Sequence, residues 1–173
     1  MIAKITKLDG IESNLTDAIS LYFHKRYLGS YNLAYSAYES LLGIMKTKKI
    51  QPILGDMEII KGYEDLPSNA KYLWNKIKHA DREQDDYLPP TEEDSRFIIH
   101  MALLEYLRLE RRLVAEHQAF IAWCTGCFPT QTTNKQFSEW AEKFFPDIGR
   151  LQFNEQLLQG LAVLSKLSPS IIS

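Results

Sequence analysis

The segment from Asn75 to Arg82 gathers the side chains of this chain that are best suited to chemistry. Its sequence, NKIKHADR, places an amide, an imidazole, a carboxylate and several cations within about two helical turns. Histidine titrates near neutral pH and acts as a general acid or base, and lysine and arginine bind phosphate oxygens. The segment is therefore typical of a site for a phosphate-bearing ligand.

The residues around this segment predict a short amphipathic helix, capped by Ser68 or Asn69 and ending near Asp81 or Arg82. At about 100° per residue, polar side chains share one face and apolar side chains share the other. Because Asn75 and His79 are one turn apart, the amide can orient the imidazole, or both can bind one polar group. The predicted ligand-binding set is Lys71, Asn75, Lys78, His79 and Arg82.

The same residues also have a purely structural interpretation. Lys71, Lys78 and Arg82 would then form an ordinary solvated face, and His79 would complete a hydrogen bond between helices. Short motifs occur by chance, so the residues alone leave both interpretations open.

The composition is typical of one soluble, globular domain. The chain has 173 residues, 45% of them hydrophobic, which is enough for a core without disulfides or metal. With 20 Lys and Arg against 22 Asp and Glu, no global field attracts nucleic acid or a membrane, so such binding needs a local patch. The sequence contains no long apolar run and no secretory signal, and only two cysteines, Cys124 and Cys127. We therefore expect a cytoplasmic protein with no membrane association.

Apolar residues recur at helical spacing, and strand-like alternation is scarce, which predicts an all-α, single-domain helical bundle of about five to six helices over residues 1–173. A first helix from Ile11 or Thr16 to Tyr27 is expected to end at Gly29. A second, from Tyr31 to Lys46, is expected to pack antiparallel to it. An irregular connector follows over residues 47–67, with one short helix near 57–61.

Six carboxylates and a Pro-Pro pair predict an acidic loop over residues 83–94. Asp94 or Ser95 is expected to cap the longest helix, from Arg96 to Trp123, which would be the spine of the bundle. Two shorter helices, 134–145 and 150–167, are expected to close the domain. Their predicted inward-facing residues are Trp140, Phe144, Phe153, Leu157, Leu158 and Leu161.

Two further patterns have both structural and functional interpretations. Tyr27, Tyr31, Tyr35 and Tyr38 follow helical spacing, although Gly29 is predicted to interrupt them, and such a stripe favours a core or a subunit interface over base stacking. Glu105 belongs to a charged strip on the predicted spine and would need compensation if buried. No phosphate-binding glycine loop, nucleophile elbow or zinc-ligand set occurs, so neither a metal nor a cofactor is predicted.

The order of elements around Asn75 and His79 resembles that of HEPN-type α-helical proteins: an irregular linker, a short helix bearing Asn-x-x-x-His, an acidic loop and a long helix. NKIKHADR is also similar to an Asn-Phe-Phe-Lys-His-Ala-Asp pattern in a group of bacterial helical proteins. The resemblance implies a homodimer. In nuclease members it implies metal-independent RNA cleavage, with Asn75 in the polar position and His79 as general acid/base.

The arginine of the nuclease motif is Trp74 in this sequence. Tryptophan cannot donate a charged fork to phosphate, so the transition-state charge lacks its usual partner. We therefore expect a catalytically silent relative that binds RNA, a nucleotide or a protein partner. The alternatives are a metal-independent RNase that uses His79 and Asn75, and a purely structural dimeric interaction module.

Overall fold

A computed structural model describes residues 5–53, 72–73, 75–77, 89–109, 111–129 and 134–167. Throughout these ranges every regular element is a helix, and no strand occurs. The prediction of an all-α helical bundle is confirmed.

The first two helices form a tightly joined pair, but the turn between them lies earlier than predicted. Helix α1 spans Lys7–Phe23 and helix α2 spans Tyr27–Lys48. Thr6 caps α1 through a capping box, in which its hydroxyl accepts from the amide of Asp9 while the Asp9 carboxylate accepts from the Thr6 amide. Lys25, with a positive φ of 58°, makes the reversal between the helices.

Gly29 lies inside α2, so its prediction as a helix break was wrong. A Cβ at this position would lie 3.1 Å from Cδ1 of Leu21 on α1. One residue further on, the buried hydroxyl of Ser30 donates to the carbonyl oxygen of Ala18 at 2.8 Å. The glycine therefore serves the close approach of the two helices, a tertiary cause that local sequence does not reveal.

Helix α3 spans Glu92–Arg108 and begins earlier than expected. Its N-cap is Thr91, not Asp94 or Ser95, and Asp94 is the second member of a capping box with Thr91. Three carboxylates assigned to the acidic loop, those of residues 92–94, lie in the first turn of this helix. Negative charge is favourable there because the helix N-terminus carries partial positive charge.

Helix α3 lies antiparallel to α1 and parallel to α2. Its two ends bond to opposite ends of α1, since Tyr22 donates to Glu92 and Tyr106 donates to Glu12. The Ser95 hydroxyl donates to the carbonyl oxygen of Tyr27 at 3.1 Å, so the N-terminal ends of α2 and α3 are adjacent. The three helices enclose one apolar core, whose largest buried members include Leu15, Ile19, Tyr22, Tyr31, Leu41, Met45, Ile98, Ile99 and Leu103.

The predicted spine helix from Arg96 to Trp123 is two helices. After α3 ends, residues 111–114 are not helical, and α4 spans Ala115–Cys127. No glycine or proline marks this break. Leu109, directly after α3, and Leu113, within the non-helical stretch, are both buried, so the chain stays packed where the helix is interrupted.

Helix α5 spans Lys135–Phe144 with Asn134 as its N-cap, close to the prediction. A 3₁₀ turn over Ile148–Arg150 then precedes α6, Phe153–Leu167, so the last helix starts three residues late. Leu157 is buried as predicted, whereas Phe153 and Leu158 are 38% and 66% exposed. Their assignment to the inward face was wrong.

The chain divides into two compact units, Met1–Arg111 and Arg112–Ser173. In the second unit, the Trp123 indole donates to the carbonyl oxygen of Gln156 at 2.8 Å. The side-chain amide of Gln156 donates to the carbonyl oxygen of Ile148 at 3.2 Å. That residues 1–173 form a single domain stays a prediction.

Candidate functional site

Of the predicted ligand-binding set, the described residues include Asn75 alone. Lys71, Lys78, His79 and Arg82 lie outside them, as do the side chain of Trp74 and residues 83–88 of the predicted acidic loop. The connector is described only as far as Ile53, so its predicted short helix near 57–61 lies outside them too.

The described part of this segment, residues 72–73 and 75–77, is helical as the sequence predicts. Asn75 is exposed, whereas Leu73 and Ile77 are half-buried, so the two sides of the helix differ in the predicted sense. The Lys76 ammonium lies 5.8 Å from the ring centroid of Tyr72, itself 59% exposed. An exposed aromatic ring and a half-buried lysine therefore lie on the helix that carries Asn75.

A buried ionic cluster joins the beginning of α3 to the end of α1. Arg96 is 6% exposed, and its Nε donates to Oε1 of Glu92 at 3.0 Å. The Tyr22 hydroxyl, fully buried, donates to the same oxygen. The cation of this ion pair is buried, the Glu92 side chain is 23% exposed, and a hydroxyl from a second helix adds a hydrogen bond, which helps to compensate the loss of hydration.

His100 follows Arg96 by one turn of α3 and is half-buried. Desolvation of the ring, and then the nearby Arg96 cation, lower its pKa from 6.5 to about 4. The imidazole is therefore neutral at physiological pH, with one nitrogen protonated and the other able to accept a hydrogen bond.

A second buried carboxylate lies on another face of α3. Glu105 is fully buried, and its Oε1 accepts a hydrogen bond from the amide of Ile53 at 2.5 Å. No described residue donates to its Oε2. Burial raises the pKa of this carboxyl, against the opposing effects of the Ile53 amide and the Arg108 cation.

The tyrosine stripe is continuous on α2, because the helix begins at Tyr27 and Gly29 does not interrupt it. The rings of Tyr31 and Tyr35 stack at 5.9 Å, and those of Tyr35 and Tyr38 meet edge to face at 6.1 Å. All three are buried. Burial raises the pKa of Tyr38, with a further contribution from Glu105. These three rings belong to the core of the single chain and are not available for stacking bases, whereas Tyr27 is half-buried.

Comparison with models of known protein families, with curated proteins and with solved structures gives no match.

Within the described ranges, no group of three or more His, Cys, Asp or Glu side chains is arranged to hold a metal ion. None of the described helices is both long enough and apolar enough to cross a membrane.

The ionic cluster of Tyr22, Glu92 and Arg96 was not anticipated from the sequence. Glu92 and Arg96 are four residues apart, a spacing that favours a pair on one helix, but the predicted helix starts at Arg96 and so leaves residue 92 in the loop. The Thr91-x-x-Asp94 pattern directly after Pro90 is the signal that would have placed the helix start correctly.

Proposed function

We propose that this chain is a catalytically silent, HEPN-like helical protein that binds RNA through the face formed by Lys71, Asn75, Lys78, His79 and Arg82. The observation that supports the proposal is the exposure of Asn75 on a helix whose apolar residues, Leu73 and Ile77, are half-buried. An exposed amide four residues before a histidine, in a sequence segment that also carries Lys71, Lys78 and Arg82, provides donors for phosphate oxygens.

Binding without turnover is proposed because of Trp74. A guanidinium at that position would stabilise charge on the phosphate, and an indole has a single neutral N–H donor. Lys78 and Arg82 supply positive charge from later positions in the sequence, which suffices for affinity but is not the charged fork at position 74 that the nuclease motif uses for cleavage.

Binding is tested with a fluorescently labelled single-stranded RNA titrated at several salt concentrations. We expect affinity to fall with salt, and Lys78→Gln to reduce the slope of log K against log salt by about 0.7 if this lysine contacts one phosphate. Asn75→Ala should weaken binding without loss of stability, because this side chain is exposed. Lys166→Gln, on α6, is the matched charge control and should leave the slope unchanged.

Cleavage is tested by incubating the protein with mixed RNA in the presence of a chelator. Degradation by the wild type but not by His79→Ala would establish the RNase alternative and end the proposal of a silent protein. Neither binding nor cleavage, together with a stable dimer in size analysis, would instead favour the structural interaction module. That module could not use the tyrosine stripe in its present form, because Tyr31, Tyr35 and Tyr38 are buried.

A further inference from the structure

An open cleft of about 510 Å³ lies between the first two turns of α1 and the C-terminal half of α2. This volume falls within the range of small-molecule sites, roughly 300–1,000 Å³. Ile11, which is buried, and Ile44 supply its apolar lining. Its other described lining residues are Lys7, Gly10, Asn14, Ser40, Gly43 and Thr47.

The two glycines of the cleft, Gly10 and Gly43, have open space beside them, whereas Gly29 and Gly126 lie against neighbouring side chains. Gly29 and Gly126 are required by neighbours within the chain, since a Cβ there would lie 3.1 Å from Leu21 and 2.5 Å from Ile148. A Cβ at Gly10 or Gly43 would meet no described atom within 4 Å. Glycine inside a helix is destabilising relative to alanine. Internal packing therefore does not explain these two, and their open backbone gives a molecule from outside room to approach.

The polar groups of the cleft favour an anion. Lys7 is the one charged residue among its described lining residues. The nearest carboxylates of α1 are engaged elsewhere: Asp9 caps the helix with Thr6, and Glu12 accepts the Tyr106 hydroxyl at 2.9 Å. The Asn14 amide adds two further donors.

We propose that this cleft binds a small organic anion with an apolar body. The anionic group lies beside Lys7 and Asn14, and the apolar body lies on Ile11 and Ile44, where Gly10 and Gly43 leave space. The site lies on the α1–α2 pair and does not depend on the RNA-binding proposal.

The test uses two related fluorescent probes with the full chain. 8-Anilinonaphthalene-1-sulfonate carries the anion and the apolar rings, and N-phenyl-1-naphthylamine carries nearly the same rings without the charge. We expect the wild type to bind one equivalent of the anionic probe. Lys7→Gln should weaken the anionic probe about threefold, as expected for one solvent-exposed ion pair, and leave the neutral probe unchanged.

Gly43→Leu should weaken both probes by at least about tenfold, because its side chain occupies the cleft. This variant is expected to fold, since leucine has higher helix propensity than glycine and the position is open. A melting temperature at or above that of the wild type verifies this. Lys166→Gln controls for the loss of one charge and should alter neither probe.

Three results would overturn the proposal: no saturable binding of the anionic probe by the wild type, unchanged binding by folded Gly43→Leu, or equal weakening of both probes by Lys7→Gln. The last result would show that the cleft does not select for charge. RNA binding should be the same in Gly43→Leu and the wild type, so failure of either proposal is recognised separately.

Discussion

The amide of Ile53 donates a 2.5 Å hydrogen bond to Oε1 of Glu105, a carboxylate with no exposed surface. This bond attaches Ile53, just after the end of α2, to the C-terminal part of α3, where Glu105 lies. It also partly compensates a carboxyl group that water cannot reach.

Glu105 should make the stability of the protein depend on pH. Its pKa is raised in the folded chain above its ordinary 4.5, so its contribution is fully present below pH 4.5 and is lost as pH rises through the folded pKa. Glu105→Gln keeps an oxygen for the Ile53 amide and cannot ionise. The difference in unfolding free energy between variant and wild type, measured by denaturant titration, should therefore grow in favour of the variant as pH rises from 4.5.

Glu105→Ala separates the hydrogen bond from the ionisation. It removes the acceptor of the Ile53 amide and should cost about 1–3 kcal/mol of unfolding free energy even at low pH, where the wild-type carboxyl is neutral. Equal stabilities of the Ala and Gln variants would contradict the role assigned to this bond.

His100 should titrate far below an ordinary histidine. Its pKa of about 4 in the folded chain, against 6.5 when unperturbed, means that its contribution to stability is present above pH 6.5 and is lost as pH falls from 6.5 to 4. NMR titration of the ring signals, assigned with a His100→Asn variant, should show the midpoint near 4. A midpoint near 6.5 would show that the ring is better solvated than its position on α3 indicates.

The shared oxygen of Glu92 predicts coupling between Tyr22 and Arg96. Tyr22→Phe removes one hydrogen bond to a charged group and should cost about 1.5–3 kcal/mol of unfolding free energy. Arg96→Met should also destabilise the chain, because it leaves Glu92 without its cation. In a double-mutant cycle the two losses should not add, since both act through one carboxylate. Additive losses would argue against the cluster.

Gly43 and Gly126 form a matched pair for testing helix packing. Gly43→Ala should raise the unfolding free energy by about 0.5–1 kcal/mol, because the new methyl group enters open space. Gly126→Ala should lower it by about 1–3 kcal/mol, because the methyl group would lie 2.5 Å from the Cγ2 atom of Ile148, which is buried. Thermal melts of the two variants give the comparison directly. Stabilisation by both would mean that the 3₁₀ turn moves aside freely.

Local sequence signals were sufficient for some elements and misleading for others. The amphipathic pattern predicted α1, α2 and α5, and Asn134 marked the start of α5. Gly29 was misread as a break because its cause, the approach of Leu21, lies on another helix. The interruption between α3 and α4 has no glycine or proline that would have predicted it. Where a helix continues or ends at such positions is determined by contacts between residues distant in sequence, and hydrophobic periodicity carries no information about those contacts.

The candidate site shows the same division. Exposure of Asn75 and partial burial of Leu73 and Ile77 followed from helical periodicity. The burial of Glu105 did not, because an acidic residue is ordinarily solvent-exposed and its partner, Ile53, contributes only a backbone amide. The cleft between α1 and α2 could not be predicted from the sequence either, because it depends on the spacing between the ends of two helices.

The parallel arrangement of α2 and α3 has a consequence for the order of folding. Contacts between α1 and α2 join residues close in sequence, so this hairpin can form early, with little entropy lost in closing its three-residue turn. Docking of α3 must close the much longer crossover connection between Lys48 and Glu92, which costs more loop-closure entropy. We therefore expect the docking of α3 to set the refolding rate, which shortening that crossover would change more than the unfolding rate.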